Sequence, residues 1–129
     1  MPVKKKQENS ESLSKIIIEG MLEKKATDVL VMDLRGINGA FADFFILCNG
    51  NSDTQVDAIS DSIEEYVEKH IEEHVWHKEG HKNKEWILLD FVNVVANVFK
   101  KETRAYYKLE QLWGDAKLNY IDPSIQSEQ

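Results

Sequence analysis

Four histidines, His70, His74, His77 and His81, fall in one stretch of the chain. The first two are spaced i, i+4, the spacing by which one helix face presents two imidazoles to zinc. A zinc hydrolase built on that pattern needs Glu directly after the first His as its base, and Ile71 stands there instead. Beyond His74 the expected helix gives way to a strand and a turn, which send His77 and His81 elsewhere, so the group reads as a solvated, pH-responsive helix end rather than a metal site. Cys48 is the only cysteine. It excludes an intrachain disulfide and any CxxC motif, fits a reducing compartment, and closes a strand of bulky apolar residues, where a thiol acts as a small buried hydrophobe. No His lies near it in sequence to lower its pKa, so catalytic use is not expected. The loop Asn49-Gly50-Asn51-Ser52, between a strand and a helix, could offer backbone N–H groups to an anion, but it is too short and glycine-poor for a phosphate-binding loop or a dinucleotide fingerprint.

That loop resembles the turn of nucleotidyltransferases, in which alternating carboxylates on a later strand hold two metal ions. The carboxylates are missing here. Asp90 ends a strand, yet its alternation partners are Leu88 and Val92, while Asp61 and Glu64 belong to a helix and Glu72 with Glu73 reads as a solvated helix face. No catalytic, cofactor-binding or metal-ligating residue is therefore expected, and nucleotide transfer stands as the enzymatic alternative.

The aromatic residues point to binding. Trp86, Phe91, Phe99, Tyr106, Tyr107 and Trp113 lie on two strands and a helix, and the adjacent tyrosines cannot both face one core. On the last of these strands Asn93, Val95, Asn97 and Phe99 share one face, and the wholly apolar Val92, Val94, Ala96 and Val98 share the other. Either the mixed face meets water at its polar positions or it binds a protein, since interface centres favour Trp, Tyr, Phe and Arg.

The elements that must position these residues follow from periodicity. Leu13, Ile16, Ile17 and Met21 share a helical face, with Ser10 or Ser12 as N-cap and Lys24 and Lys25 at the dipole's negative end. The runs 28–34 and 42–48 read as two strands of a hairpin around Arg35 to Gly39. Ser52 and Gln55 form a capping box for a second helix, whose apolar face is Val56, Ile59, Ile63, Val67 and Ile71. A weak strand over 74–78, a turn over 80–84, and strands over 85–90 and 92–99 follow. A helix over 102–113 closes the order α-β-β-α-β-β-β-α. The fold class is α/β (α+β), a mixed sheet of about five strands with helices on at least one face. Residues 1–9 read as a flexible tail and 114–129 as a mostly flexible one, around one domain over 10–113.

Charge and hydropathy narrow the partners. Lys and Arg number 16 against 23 Asp and Glu, a formal charge of −7, so a phosphate backbone meets net repulsion and direct nucleic-acid binding is not expected. Apolar stretches reach about seven residues, far short of the roughly 20 that span a bilayer, and no apolar segment of a signal peptide follows the basic start. A soluble cytoplasmic protein without a membrane partner is expected.

Four blocks, in order, resemble the RsfS/Iojap family of ribosomal silencing factors, and the likeness covers Leu13 to Trp113. They are Lys25-Ala26-Thr27-Asp28-Val29, Ala42-Asp43-Phe44-Phe45-Ile46 with Asn49 to Ser52, Trp86-Ile87-Leu88-Leu89-Asp90, and the long R-x-Y-Y-x-L-E-x-L-W block from Arg104 to Trp113. Two departures stand out. The family usually has Gly-Asp where this chain has Val92-Asn93, and a His where it has Asn97, which keeps hydrogen bonding but loses a titratable ring.

The resemblance implies a nucleotidyltransferase-like fold that has lost its catalytic carboxylates and serves as a binding platform, without cofactor. It implies docking on the large ribosomal subunit through protein L-fourteen, steric blocking of subunit joining, translation repression when nutrients are short, and a homodimer when free. The docking residues expected on this basis are Trp86, Asp90, Val95, Asn97, Phe99, Arg104, Tyr106, Tyr107 and Glu110, with Trp86, Phe99 and Tyr107 as apolar anchors, Asp90 and Glu110 meeting basic groups, and Arg104 holding Glu110 or the partner. A dimeric adaptor with a non-ribosomal client is the alternative among binding proteins.

Overall fold

In a computed structural model, residues 10–72, 74–107 and 116–121 are described. Helix α1 (Ser10–Glu23) leads into strand β1 (Thr27–Asp33) and then β2 (Phe44–Gly50). Helix α2 (Asp53–Ile71) follows, then β3 (His77–Glu79), β4 (Trp86–Asp90), β5 (Val94–Lys100), a helix α3 (Lys101–Tyr107) and β6 (Lys117–Tyr120). The order is the expected one with a strand added at its end. The strands form one mixed sheet in the order β3-β4-β5-β2-β1-β6.

The expected hairpin is present: β1 and β2 pair antiparallel, Asp33 opposite Phe44 and Leu30 opposite Leu47. The pairing shifts between Thr27 and Leu30, where Asp28 adopts a φ of 52°. The pivot of the sheet is parallel, since β2 lies alongside β5 in register from Phe44–Val94 to Gly50–Lys100. A parallel neighbour needs a crossover, and α2, β3 and β4 supply it.

Every residue of β2 is buried, as are Val94 to Phe99 of β5. Central strands covered on both faces read as continuous apolar runs, which is how Phe44 to Cys48 looks in the sequence. One face packs Val31, Ile46, Cys48, Ile87, Leu89, Ala96 and Val98 against α1 and α2. Full burial of Val56, Ile59, Ile63 and Val67 on α2 stabilises the fold by roughly 1.5–3 kcal/mol per side chain. The two helices touch closely. A Cβ at Gly20 would stand 3.0 Å from the Cα of Ile63, and the Gly20 carbonyl accepts the Ser62 hydroxyl at 2.8 Å.

The expected capping box is formed. Gln55 N–H donates to Ser52 Oγ at 3.1 Å and the Gln55 side-chain oxygen accepts Asn51 N–H at 2.7 Å. Its amide nitrogen then reaches the carbonyls of Lys24 and Lys25, tying the start of α2 to the end of α1.

The opposite face of the sheet carries a second cluster of Leu30, Met32, Leu34, Phe45, Leu47, Val95 and Phe99, with Trp86 and Leu88 packed against it. Strand β6 falls within 114–129, the stretch expected to be mostly tail, and there Leu118 and Asn119 pair antiparallel with Met32 and Val31. Its four residues are all exposed, so the ladder to β1, not burial, holds it. Of the expected helix over 102–113, the segment 108–113 lies outside the described residues.

Candidate protein-binding face

Trp86, Leu88 and Asp90 alternate onto the same side of β4, and across the antiparallel pairing they stand opposite Phe99, Asn97 and Val95 of β5. Trp86 and Phe99 stack at 5.1 Å between ring centroids, 23° from parallel. The indole Nε1–H of Trp86 donates to Asn97 Oδ1 at 3.0 Å, and Asn97 Nδ2 donates to the Val95 carbonyl at 3.4 Å. Six of the nine expected docking residues are thereby brought together or resolved, but in two layers. Val95, Asn97, Phe99 and Arg104 are buried within the chain, whereas Trp86 and Asp90 are half-buried. Direct contact by the first four is not available in this fold, because the mixed face of β5 is the inside of a second core and not a wet surface. The side chains of Tyr106 and Tyr107, and Glu110 altogether, lie outside the described residues.

Arg104 is a latch. Its guanidinium donates to the Asp28 main-chain carbonyl and, at 3.1 Å, to Asn49 Oδ1, while Asn49 Nδ2 donates to Asp28 Oδ2 at 3.0 Å. This ties the start of α3 to the irregular entry of β1 and the end of β2, while Glu110, the other partner expected for it, lies outside the described residues.

At the far end of β4 the chain turns sharply. Asp90 Oδ1 accepts Val92 N–H at 2.8 Å, and Val92 stands at a φ of 80°. A β-branched residue in the left-handed region is strained by about 1–3 kcal/mol. Phe41, Trp76, Asp90 and Val92 line one open cleft there. Phe41 also packs its ring on Phe45 at 5.5 Å, and Trp76 N–H donates to the Asp90 carbonyl at 2.8 Å. The cleft was not anticipated. Its one sequence signal was Val92 at a position where the family pattern has Gly.

The groups weighed for chemistry are scattered. His70 Nδ1 meets the Tyr66 carbonyl at 2.9 Å, His74 lies 4.0 Å from Glu68, and His77 Nε2 lies 2.7 Å from Glu79. His81 is apart from all three, near Asp57 and Asp61 on α2, with Lys84 already 3.4 Å from Asp57. Cys48 is wholly buried, and the loss of solvent drives its thiol pKa well above the ordinary range, against a smaller opposing pull from Arg104. A thiol held protonated in this way is no nucleophile at neutral pH. No helix among the described residues is long and apolar enough to cross a membrane.

A mixed sheet with two long helices packed on one face and a half-buried tryptophan over the other defines a small α/β protein. Residues 7–129 match the family model described as ribosomal silencing factor during starvation. The chain is 41% identical over 114 residues to ribosomal silencing factor RsfS of Bacillus subtilis (strain 168), which covers 88% of this chain and 95% of that protein. It is 34% identical over 94 residues to the chloroplastic protein Iojap of Zea mays, covering 73% of this chain and 40% of that longer one. A crystal structure from Bacillus halodurans superposes with a TM-score of 0.72 at 32% identity, covering 88% of this chain and 99% of that one. This chain belongs to the ribosomal silencing factor family.

Proposed function

We propose that this chain docks on the large ribosomal subunit through protein L-fourteen, occupies the surface that meets the small subunit, and so represses translation when nutrients are short. It does this by steric exclusion and without catalysis, in the cytoplasm, and the free chain pairs with itself as a homodimer. The observation that carries the reading is the family match over residues 7–129. The scattered histidines and the buried, protonated Cys48 are consistent with a binding role. The docking face runs along β4 from Trp86 to Asp90, with Tyr106, Tyr107 and Glu110 as further contacts, and with Val95, Asn97, Phe99 and Arg104 supporting it from within.

Co-sedimentation of the purified chain with isolated large subunits, isolated small subunits and joined ribosomes tests this directly. Binding to free large subunits alone, lost on joined ribosomes, is the expected result. Absence from the large-subunit fraction would overturn it and bring forward an adaptor with another client. Trp86→Ala, in protein that remains folded, is expected to weaken binding by about thirtyfold, the size of an anchor contact.

A further inference from the structure

Three large apolar side chains stand exposed in the one cleft at the end of β4: Phe41 at 70%, Trp76 at 72% and Val92 at 48%. Apolar groups gathered in this way mark an interaction surface more often than a lone exposed residue does. The backbone adds a second indication. Val92 is held in the left-handed region by the Asp90 carboxylate, yet its side chain receives little burial in return. Strain kept where the fold gains nothing from it points to a gain elsewhere.

The charge around the cleft selects the occupant. The nearby cations are already engaged, Lys78 with Glu64 at 3.1 Å and Arg35, which lines the adjoining cleft, with Asp33 and Glu11 at 2.8 Å each. Asp90 spends Oδ1 on Val92 N–H, while its Oδ2 has no partner among the described residues, and Asp43 lines the adjoining cleft that shares Phe41. A second copy of this chain, itself at −7, would set like carboxylates against these. A basic partner would not.

We propose that the Phe41–Trp76–Val92 cleft receives an apolar side chain flanked by Lys or Arg on a basic protein of the large subunit, with Asp90 meeting the cation. This rests on the docking reading above and extends that face beyond Asp90, to residues outside the four family-like blocks.

Equilibrium binding of the full chain to isolated large subunits, at low and near-physiological salt and paired with thermal melts, tests it. Val92→Gly is expected to melt higher, since the strain is relieved, and yet to bind about tenfold more weakly. Trp76→Ala is expected to lose about thirtyfold. Asp90→Asn should flatten the salt dependence, and Tyr120→Ala, exposed on β6 at the other edge of the sheet, should bind as wild type. Wild-type binding with Val92→Gly and Trp76→Ala unimpaired would overturn this inference and leave the docking reading standing. Equal weakening by Tyr120→Ala, or a loss of self-association from the cleft variants with subunit binding intact, would also overturn it. Failure of the wild type to bind large subunits would remove both.

Discussion

Asn97 accepts the indole hydrogen of Trp86 at 3.0 Å from the neighbouring strand, and this bond joins the interior of the sheet to the face proposed for docking. Asn97 is fully buried and Trp86 is not, so the bond fixes the ring while leaving part of it accessible.

Replacing Asn97 by Ala takes this acceptor from the part-buried Trp86 indole and opens space beneath the ring. Asn97→Ala is expected to cost about 1–3 kcal/mol, read as a lower urea midpoint at unchanged slope. Asn97→His returns the ring that the family usually has and keeps an acceptor, so it should retain most of that stability. Equal loss in both variants would show that the site recognises asparagine's shape and not its hydrogen bond.

The Arg104 latch makes a different prediction. Truncation to Met keeps the stem but strands the Asp28 carbonyl and Asn49 Oδ1, and about 2–4 kcal/mol should be lost. Lysine restores charge without the planar fork, so Arg104→Lys should recover only part of the loss. Paired chemical denaturation of the two variants separates charge from geometry.

Gly80 permits the β3–β4 turn. It sits at a φ of 92°, and a Cβ there would fall 1.9 Å from the Trp86 carbonyl oxygen, a backbone atom that cannot swing aside. Gly80→Ala is expected to cost at least about 3 kcal/mol and to free His77–Glu79 from β4, seen as accelerated amide exchange confined to that edge.

Cys48 sets a ceiling on pH. Its thiol keeps its proton in the fold beyond the point, about pH 8.5, at which the unfolded chain gives its own up. The unfolded state therefore binds fewer protons above that value. The thiol's contribution is fully present below about pH 8.5 and declines as pH rises. Cys48→Ala should remove this alkaline slope, and a thiol reagent should label the wild type only after denaturation.

Much of the fold was legible because its signals are local. The Ser52–Gln55 capping box, the apolar stripe of α2 and the run Phe44 to Cys48 each declare an element without reference to the rest of the chain. What was not legible depends on partners. Lys117 to Tyr120 alternates polar and apolar residues over only four positions, too short a signal to stand alone, and becomes a strand because β1 presents an open edge. Asn93 and Asn97 suggested a wet face; Asn93 is half-buried before β5 begins, but Asn97 is tolerated inside because a donor, the Trp86 indole, meets it. Arg104 resembled a surface charge because its acceptor, a carbonyl at a positive-φ bulge, exists only after β1 and β2 have paired.

The parallel pairing of β2 with β5 has a consequence for synthesis. Each residue from Phe44 to Gly50 waits for a partner from Val94 to Lys100. A chain emerging from its N-terminus can form the first hairpin and both long helices, but it cannot close the centre of its sheet until β5 is out. Trp86 finds its bond to Asn97 and its stack on Phe99 only at that point. The face proposed to meet the ribosome is thus among the last parts of the molecule to exist, and an unfinished copy would lack the surface with which to engage the machine still making it.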